Sequence, residues 1–88
     1  MARESYPTDL TDEEWAQVEH LLISHSRFGR KRKVDEREIL NAILYVQWTG
    51  CAWRMLPHDL PIWSTVYYYY SRWDSDGTLN LVRSILGR

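Results

Sequence analysis

The sequence predicts an all-α fold, a small helical bundle of four helices with one short extra piece. Two helix-start signals, Thr-Asp-Glu-Glu at residues 11–14 and Asp-Glu-Arg-Glu at residues 35–38, each precede apolar residues that recur every three or four positions. No stretch alternates apolar and polar residues as a half-buried strand does. The 88 residues include five tryptophans and six tyrosines, which supply enough apolar area for one small core. We therefore expect a single domain over residues 1–88.

The first helix is predicted to begin at a capping box. Thr11 and Glu14 can each accept a hydrogen bond from the other's backbone N–H, and Leu10 can pack against Trp15 as a hydrophobic staple. Residues 1–9 lack periodicity and are expected to form a loose lead-in. The inner face follows at spacings of three and four: Trp15, Val18 and Leu22, with Leu21 or Ile23 beside them. The helix is expected to end near Ser24.

Residues 25–34 are predicted to be a linker, because they lack an apolar period. They carry five basic side chains: Arg27, Arg30, Lys31, Arg32 and Lys33. Such a run is either a solvated loop without a partner or an arm that contacts phosphates. The formal net charge is only −1, but the acids cluster between residues 4 and 19. An acidic face can therefore point away from a duplex that the basic arm contacts.

The second helix is predicted over residues 36–49 and is the expected centre of the bundle. Asp35 can cap it, with Glu38 reaching back to the cap and Val34 packing on Ile39 as a staple. Its apolar positions cover much of the circumference: Ile39, Leu40, Ala42, Ile43, Leu44, Val46 and Trp48. A helix that is apolar on most sides is buried on most sides.

A rigid corner is predicted after the second helix. Gly50 can adopt the left-handed conformation that closes that helix. Residues 51–56 predict one or two turns of apolar helix, which Pro57 stops. Pro57 and Pro61 then bracket residues 58–60.

The third helix is the candidate reader of a helix-turn-helix over about residues 36–73. Ser64 or Thr65 is expected to cap it, and Val66, Tyr70 and Trp73 recur on its inward face. The opposite face is expected to present four side chains suited to DNA bases and phosphates: Thr65, Tyr68, Tyr69 and Arg72. The alternative is that the four consecutive tyrosines at residues 67–70 ring a helix that partners bury on several sides.

The last helix is predicted from Leu79 to Leu86. Residues 74–77, Asp-Ser-Asp-Gly, end the third helix, and Thr78 can cap the fourth. Val82, Ile85 and Leu86 are its expected inward residues.

Catalytic and metal-binding patterns find little support in the sequence. His20, His25 and His58 have no Cys or His partner at zinc spacing, and the paired acids stand at helix starts, where capping explains them. A single cysteine, Cys51, cannot form an internal disulfide, and we interpret it as a small core residue. No stretch reaches the roughly 18–20 apolar residues of a membrane span, and the amino terminus lacks a signal pattern. We expect a cytoplasmic protein without a metal or cofactor.

Several motifs at fixed spacing run along nearly the whole chain. They are the Tyr-Pro-x-Asp-Leu-Thr-Asp-x-Glu-Trp opening at residues 6–15, a basic segment at 29–33, Asn-Ala-Ile-x-Tyr-Val at 41–46, Thr-Gly-Cys-x-Trp-Arg-x-Leu-Pro at 49–57, and an aromatic helix at 63–73. With these motifs the chain resembles the amino-terminal domain of bacterial transposases of the insertion-sequence-five (IS-five) group.

The resemblance implies a helix-turn-helix-like domain that recognises the terminal inverted repeats of a mobile element. In full-length relatives it implies a following RNase-H-like domain, in which an Asp-Asp-Glu triad holds two Mg²⁺ ions for strand transfer. The resemblance places Arg88 where the family's linker would begin. The expectation for these residues is therefore a non-catalytic domain whose partner is double-stranded DNA.

One departure from the family pattern supports an alternative function. Many relatives carry Arg or Lys where Tyr68 and Tyr69 stand here, and Phe where Tyr70 stands. The alternative is a domesticated adaptor that binds a protein partner or a larger complex through its aromatic surface.

Overall fold

A computed structural model describes residues 5–23 and 35–87 of the chain. Within these ranges the chain forms four α-helices, a short 3-10 turn and no strand, which confirms the predicted all-α class. The helices are α1 (Asp12–Ile23), α2 (Glu36–Thr49), α3 (Trp63–Ser75) and α4 (Thr78–Leu86), and the 3-10 turn (Trp53–Met55) lies between α2 and α3. Each helix packs on two others, α1 on α2 and α4, and α3 on α2 and α4.

The capping box at the start of α1 is present. The backbone N–H of Glu14 donates to Thr11 Oγ1 at 3.1 Å, and the backbone N–H of Thr11 donates to Glu14 Oε1 at 3.0 Å. Leu10 is buried and Trp15 packs on the core. These two reciprocal bonds satisfy donors that a helix start otherwise leaves without partners, so the first turn is fixed locally.

Asp35 caps α2 as expected, since its Oδ1 accepts a hydrogen bond from the backbone N–H of Arg37 at 3.0 Å. The Glu38 carboxylate accepts from the side-chain amide of Asn41 at 2.9 Å. Val34 lies outside the described residues, so its staple with Ile39 stays a prediction.

The core lies between the four helices, and α2 contributes most to it. Seven α2 residues are buried: Glu36, Ile39, Leu40, Asn41, Ala42, Ile43 and Leu44. The other helices each contribute a buried pair, namely Val18 and Leu22, Val66 and Trp73, and Leu79 and Val82. The expectation that Trp48 faces inward was wrong, because its side chain is 61% exposed. It lies in the last turn of α2, where Gln47 and Thr49 are exposed as well.

Residues 5–11, the described part of the segment before α1, are tied down, contrary to the expectation of a loose lead-in; residues 1–4 lie outside the described residues. Leu10 is held at both backbone groups, since its N–H donates to Asn41 Oδ1 and its C=O accepts from Arg37 Nη2, both at 2.8 Å. Arg37 Nη1 also pairs with Asp12 at 2.9 Å. Two side chains of α2 thus replace the partners that a strand or helix would give this extended segment.

Tyr6 fastens the same segment to the corner. Its ring packs edge-on against Tyr45 of α2, with 5.0 Å between centroids. Its hydroxyl donates to Asp59 Oδ1 at 2.7 Å. The corner is therefore held in place from the amino-terminal side as well as by its own prolines.

Gly50 and Pro57 set the backbone conformation at the two ends of the segment that contains the 3-10 turn. Gly50 is left-handed, with φ of 73°, and its N–H donates to the carbonyl of Val46 at 2.8 Å. The expected short helix is only the 3-10 turn Trp53–Met55. Leu56 precedes Pro57, which forces an extended conformation, and its ψ of 137° ends the turn.

Two expected helix caps were wrong. Ile62 occupies the cap position of α3 without a side-chain hydrogen bond, so Ser64 and Thr65 lie inside the first turn. Its carbonyl accepts from the backbone N–H groups of Thr65 and Val66, both at 3.1 Å, so the helix begins as soon as the chain leaves Pro61.

At α4 the cap position belongs to Gly77, which is left-handed at φ of 84°, and Thr78 is the first helical residue. The N–H of Thr78 donates to Asp76 Oδ1 at 3.0 Å, so Asp76 supplies the side-chain acceptor. Ile85, expected to face inward, is 39% exposed. Leu79 and Val82 centre the buried face, and the helical rotation places Ile85 at its edge.

Candidate nucleic-acid interface

The exposed side of α3 is the candidate surface for contacts to nucleic acid. α3 buries only Val66 and Trp73, which stand seven residues apart on one side of the helix. On the opposite side a row of exposed residues recurs at spacings of three and four: Ser64, Tyr68, Ser71 and Ser75. Tyr67 and Arg72, both exposed, flank this row on its two sides. We call these six residues the outer face of α3.

The predicted α3 site residues divide between this face and the interior. Tyr68, at 54% exposed, and Arg72 lie on the outer face. Thr65 is half-buried at its edge. Tyr69 is half-buried against the core, with its ring 5.4 Å from that of Trp73. The expected exposed pair of Tyr68 and Tyr69 is therefore a single exposed tyrosine beside a packed one.

Ser64, Tyr67, Ser71 and Ser75 belong to the outer face but were missed in the sequence. The signal that locates them is the pair Val66 and Trp73. Residues seven apart lie almost in line on a helix, so this pair fixes the inward direction. The opposite direction then falls between Ser64, Tyr68 and Ser71, rather than on Tyr69.

Arg72 and Tyr68 hold each other on the outer face. Arg72 Nη1 donates to the Tyr68 hydroxyl at 3.1 Å, and the guanidinium carbon lies 5.7 Å from the centroid of the Tyr68 ring. Tyr68 also packs edge-on against Tyr69 at 5.3 Å. These contacts restrict a long, flexible cation to one part of the helix surface. Arg72 is exposed, so its other N–H groups can meet an acceptor such as phosphate or guanine.

The 3-10 turn lies along one flank of α3, where Trp53 joins it to the helix. The Trp53 ring lies 5.5 Å from the ring of Tyr67 and 5.0 Å from that of Tyr70. The four tyrosines thus divide: Tyr69 and Tyr70 are half-buried, and Tyr67 and Tyr68 are exposed. The alternative in which partners bury this helix on several sides stays a prediction.

The five basic residues predicted to contact phosphates, Arg27, Arg30, Lys31, Arg32 and Lys33, lie outside the described residues. Their role stays a prediction from the sequence. The described chain ends before them at Ile23 and resumes after them at Asp35.

In the described part of the chain, no group of three or more His, Cys, Asp or Glu side chains is arranged to hold a metal ion. Cys51 is a free, half-buried thiol, and His20 and His58 are exposed. None of the helices in residues 5–23 and 35–87 combines the length and the hydropathy needed to cross a bilayer.

Sequence comparison identifies relatives of this chain. The profile of a family described as "Putative transposase of IS4/5 family" matches residues 10–82. A curated relative, "Uncharacterized protein y4sN" of Sinorhizobium fredii (strain NBRC 101917 / NGR234), is 28% identical over 79 residues. The matched region covers 90% of this chain but 63% of that protein, so the chain spans less than two thirds of the relative's length. No solved structure matches significantly.

Proposed function

Because this chain belongs to the family described as putative transposases of the IS4/5 group, we propose that it is a non-catalytic DNA-binding domain. Its ligand is double-stranded DNA, namely the terminal inverted repeats of a mobile element. It acts in the cytoplasm. α2, the corner and α3 act as a helix-turn-helix over about residues 36–73, and α3 is the helix that reads the DNA.

The composition of the outer face of α3 carries this proposal. Between residues 64 and 72 it presents hydroxyl groups, two exposed tyrosines and Arg72, and it contains no carboxylate. Hydroxyls and tyrosines donate to phosphate oxygens or pack on thymine methyls, and arginine donates to guanine. An α-helix of this size fits the major groove. Tyr68 and Arg72 meet the bases, while Thr65 and Tyr69 border the groove.

The basic run supplies the affinity that does not depend on sequence. Its five cations, Arg27, Arg30, Lys31, Arg32 and Lys33, track the phosphates of the duplex next to the reader helix. Neutralising about four phosphates corresponds to a slope of roughly −3 to −4 in a plot of log affinity against log salt.

The test combines selection from a randomised duplex library with salt titrations on the selected duplex. We expect one enriched sequence and a slope near −3 to −4. Replacing Arg30, Lys31 and Arg32 with alanine should weaken binding to all sequences alike and flatten the slope. Arg72→Ala should instead change which sequence is enriched, because it removes a group on the outer face. Arg83→Ala, on α4, is the matched control for loss of one positive charge. A flat titration on duplex DNA would contradict the proposal.

A protein-binding adaptor is the second candidate, and the exposed aromatic rings favour it. Tyr67 is 46% exposed and Tyr68 54%, and exposed tyrosines are frequent anchors in protein interfaces. In this case a pull-down recovers one stoichiometric partner, the wild-type chain shifts no duplex at low salt, and Tyr67→Ala releases the partner.

A further inference from the structure

An open groove lies in the corner between α2 and α3, and it is separate from the outer face of α3. Its volume is about 480 Å³, which lies in the range of sites that bind small molecules. Leu56 and Leu60 form a buried floor, and Pro57, Pro61 and Ile62 form apolar walls. Two side chains bring polar groups to this groove, Arg54 and His58.

Arg54 is held at the groove by Trp63. Its guanidinium carbon lies 4.9 Å from the centroid of the Trp63 ring, within the range of a cation–π contact. Arg54 is nevertheless exposed. Among the described residues no carboxylate pairs with it, so its charge is available to a ligand.

The acid nearest in sequence is turned to another partner. Asp59 follows His58 directly, but its carboxylate accepts the hydroxyl of Tyr6 at 2.7 Å, and it does not line the groove. The groove therefore combines one cation with apolar walls and contains no carboxylate. This charge is complementary to an anion that carries an apolar body.

The position of the groove identifies which anion that is. Trp63 is the first residue of α3, so Arg54 lies beside the amino-terminal end of the reader helix. When a helix occupies the major groove, the residues beside its end face the sugar-phosphate strand that borders it. A phosphodiester supplies the anion, and its deoxyribose supplies the apolar body.

We propose that the corner groove holds one nucleotide unit of the DNA backbone, with its phosphate on Arg54 and His58 and its sugar against Pro57, Pro61 and Ile62. This inference rests on the proposed DNA-binding function. The contact at the corner positions α3 in the major groove without reading sequence. Its cation, Arg54, lies outside the basic run.

The first experiment measures duplex affinity between 50 and 200 mM salt for wild type, Arg54→Gln and Arg54→Lys. Loss of one phosphate contact should reduce the steepness of the salt slope by about 0.9. The advantage of wild type over Arg54→Gln should therefore shrink by roughly 3–4-fold across this fourfold range of salt. Arg54→Lys keeps the charge and should keep the slope. The enriched DNA sequence should be the same for all three proteins.

The matched control is Arg83→Gln, which removes one positive charge on α4 and should leave the slope unchanged. If wild type binds duplex DNA with a steep slope and Arg54→Gln leaves that slope intact, the groove assignment fails while the proposed function stands. If wild type binds no duplex at all, both fail.

The second experiment needs no substitution, so it is independent of the stability of the variant. The Arg54 side-chain Nε–H resonance of the wild-type protein is followed by NMR during titration with a duplex, with inorganic phosphate and with an oligo-glutamate peptide. A shift with duplex at micromolar concentration, together with a weaker shift with phosphate, is the expected result. A shift with phosphate or with the peptide, and none with duplex, would overturn the assignment to a DNA strand.

Discussion

α2 and α3 are almost equally long, but they bury very different parts of themselves. Of the 14 residues of α2, seven are buried, whereas of the 13 residues of α3 only Val66 and Trp73 are. α2 is buried on most sides, whereas α3 packs on α2, α4 and the 3-10 turn with one side and leaves its outer face exposed. The difference separates a helix that is buried on most sides from a helix that exposes one side to solvent.

The side chains account for this difference. α2 is rich in aliphatic residues, whose burial away from water stabilises the folded state. α3 carries tyrosines, whose rings pack on neighbours while their hydroxyls stay in water. Tyr69 and Tyr70 pack in this way on Trp73 and Trp53. A surface built from such residues can be exposed without a large cost, which suits it to binding.

The largest effect that we expect comes from opening a cavity in α2. Ile43 is fully buried, so Ile43→Ala should reduce the free energy of unfolding by about 2–5 kcal/mol. Chemical denaturation followed by circular dichroism measures it. The loss is a large part of the 5–15 kcal/mol that stabilises a typical domain.

The control for this substitution is on the outer face of α3. Ser71 is exposed, and Ser71→Ala should change the free energy of unfolding by less than about 0.5 kcal/mol. Equal losses at Ile43 and Ser71 would contradict the division between a buried and a presented helix.

A smaller effect is expected where α2 holds the segment before α1. Asn41→Leu keeps the number and branching of the side-chain heavy atoms but removes the acceptor of the buried Leu10 N–H. An unsatisfied buried donor costs about 1–3 kcal/mol. Denaturation should show this loss, and hydrogen exchange should show faster exchange at the Leu10 amide. Gln47→Leu, at an exposed position of α2, should leave both quantities unchanged.

The smallest stability effect separates two neighbouring tyrosines of α3. Tyr69→Ala removes a half-buried ring and should reduce the free energy of unfolding by about 1–2 kcal/mol. Tyr68→Ala should change stability by less than about 0.5 kcal/mol, but it should reduce discrimination among duplex sequences by about 1–3 kcal/mol.

Chemical denaturation measures the stability of Tyr68→Ala and Tyr69→Ala, and competition binding measures their discrimination among duplex sequences. Tyr68→Phe keeps the ring and removes the hydroxyl that holds Arg72, so its discrimination should lie between those of wild type and Tyr68→Ala. If Tyr69→Ala alters sequence preference while Tyr68→Ala does not, the outer face of α3 has been assigned to the wrong side of the helix.

Much of the helical framework follows from local patterns. The capping box of Thr11 and Glu14, the Asp35 cap and the left-handed Gly50 all form as predicted. Each depends on residues within a few positions along the chain. The predicted caps of α3 and α4 failed because Ile62 and Gly77 occupy the cap positions, and at α4 the side-chain acceptor comes from Asp76 instead.

The candidate site was predictable only in part. Arg72 and Tyr68 were predicted to be exposed and are, but Tyr69 was predicted to be exposed too and is half-buried. Four consecutive tyrosines have the same chemistry, so composition cannot say which of them face outward. The packing of Tyr69 on Trp73 and of Tyr70 on Trp53 decides that.

The sequence by itself determined where α1 and α2 begin, most of the residues that fill the core and which family the chain belongs to, because caps, periodicity and motifs act over short distances. Only the tertiary structure decided that Leu10 is held by Arg37 and Asn41, that Tyr6 reaches Asp59, and that Arg54 lies over Trp63. Most of these contacts join residues far apart in the chain, and no local pattern records which distant groups folding brings together.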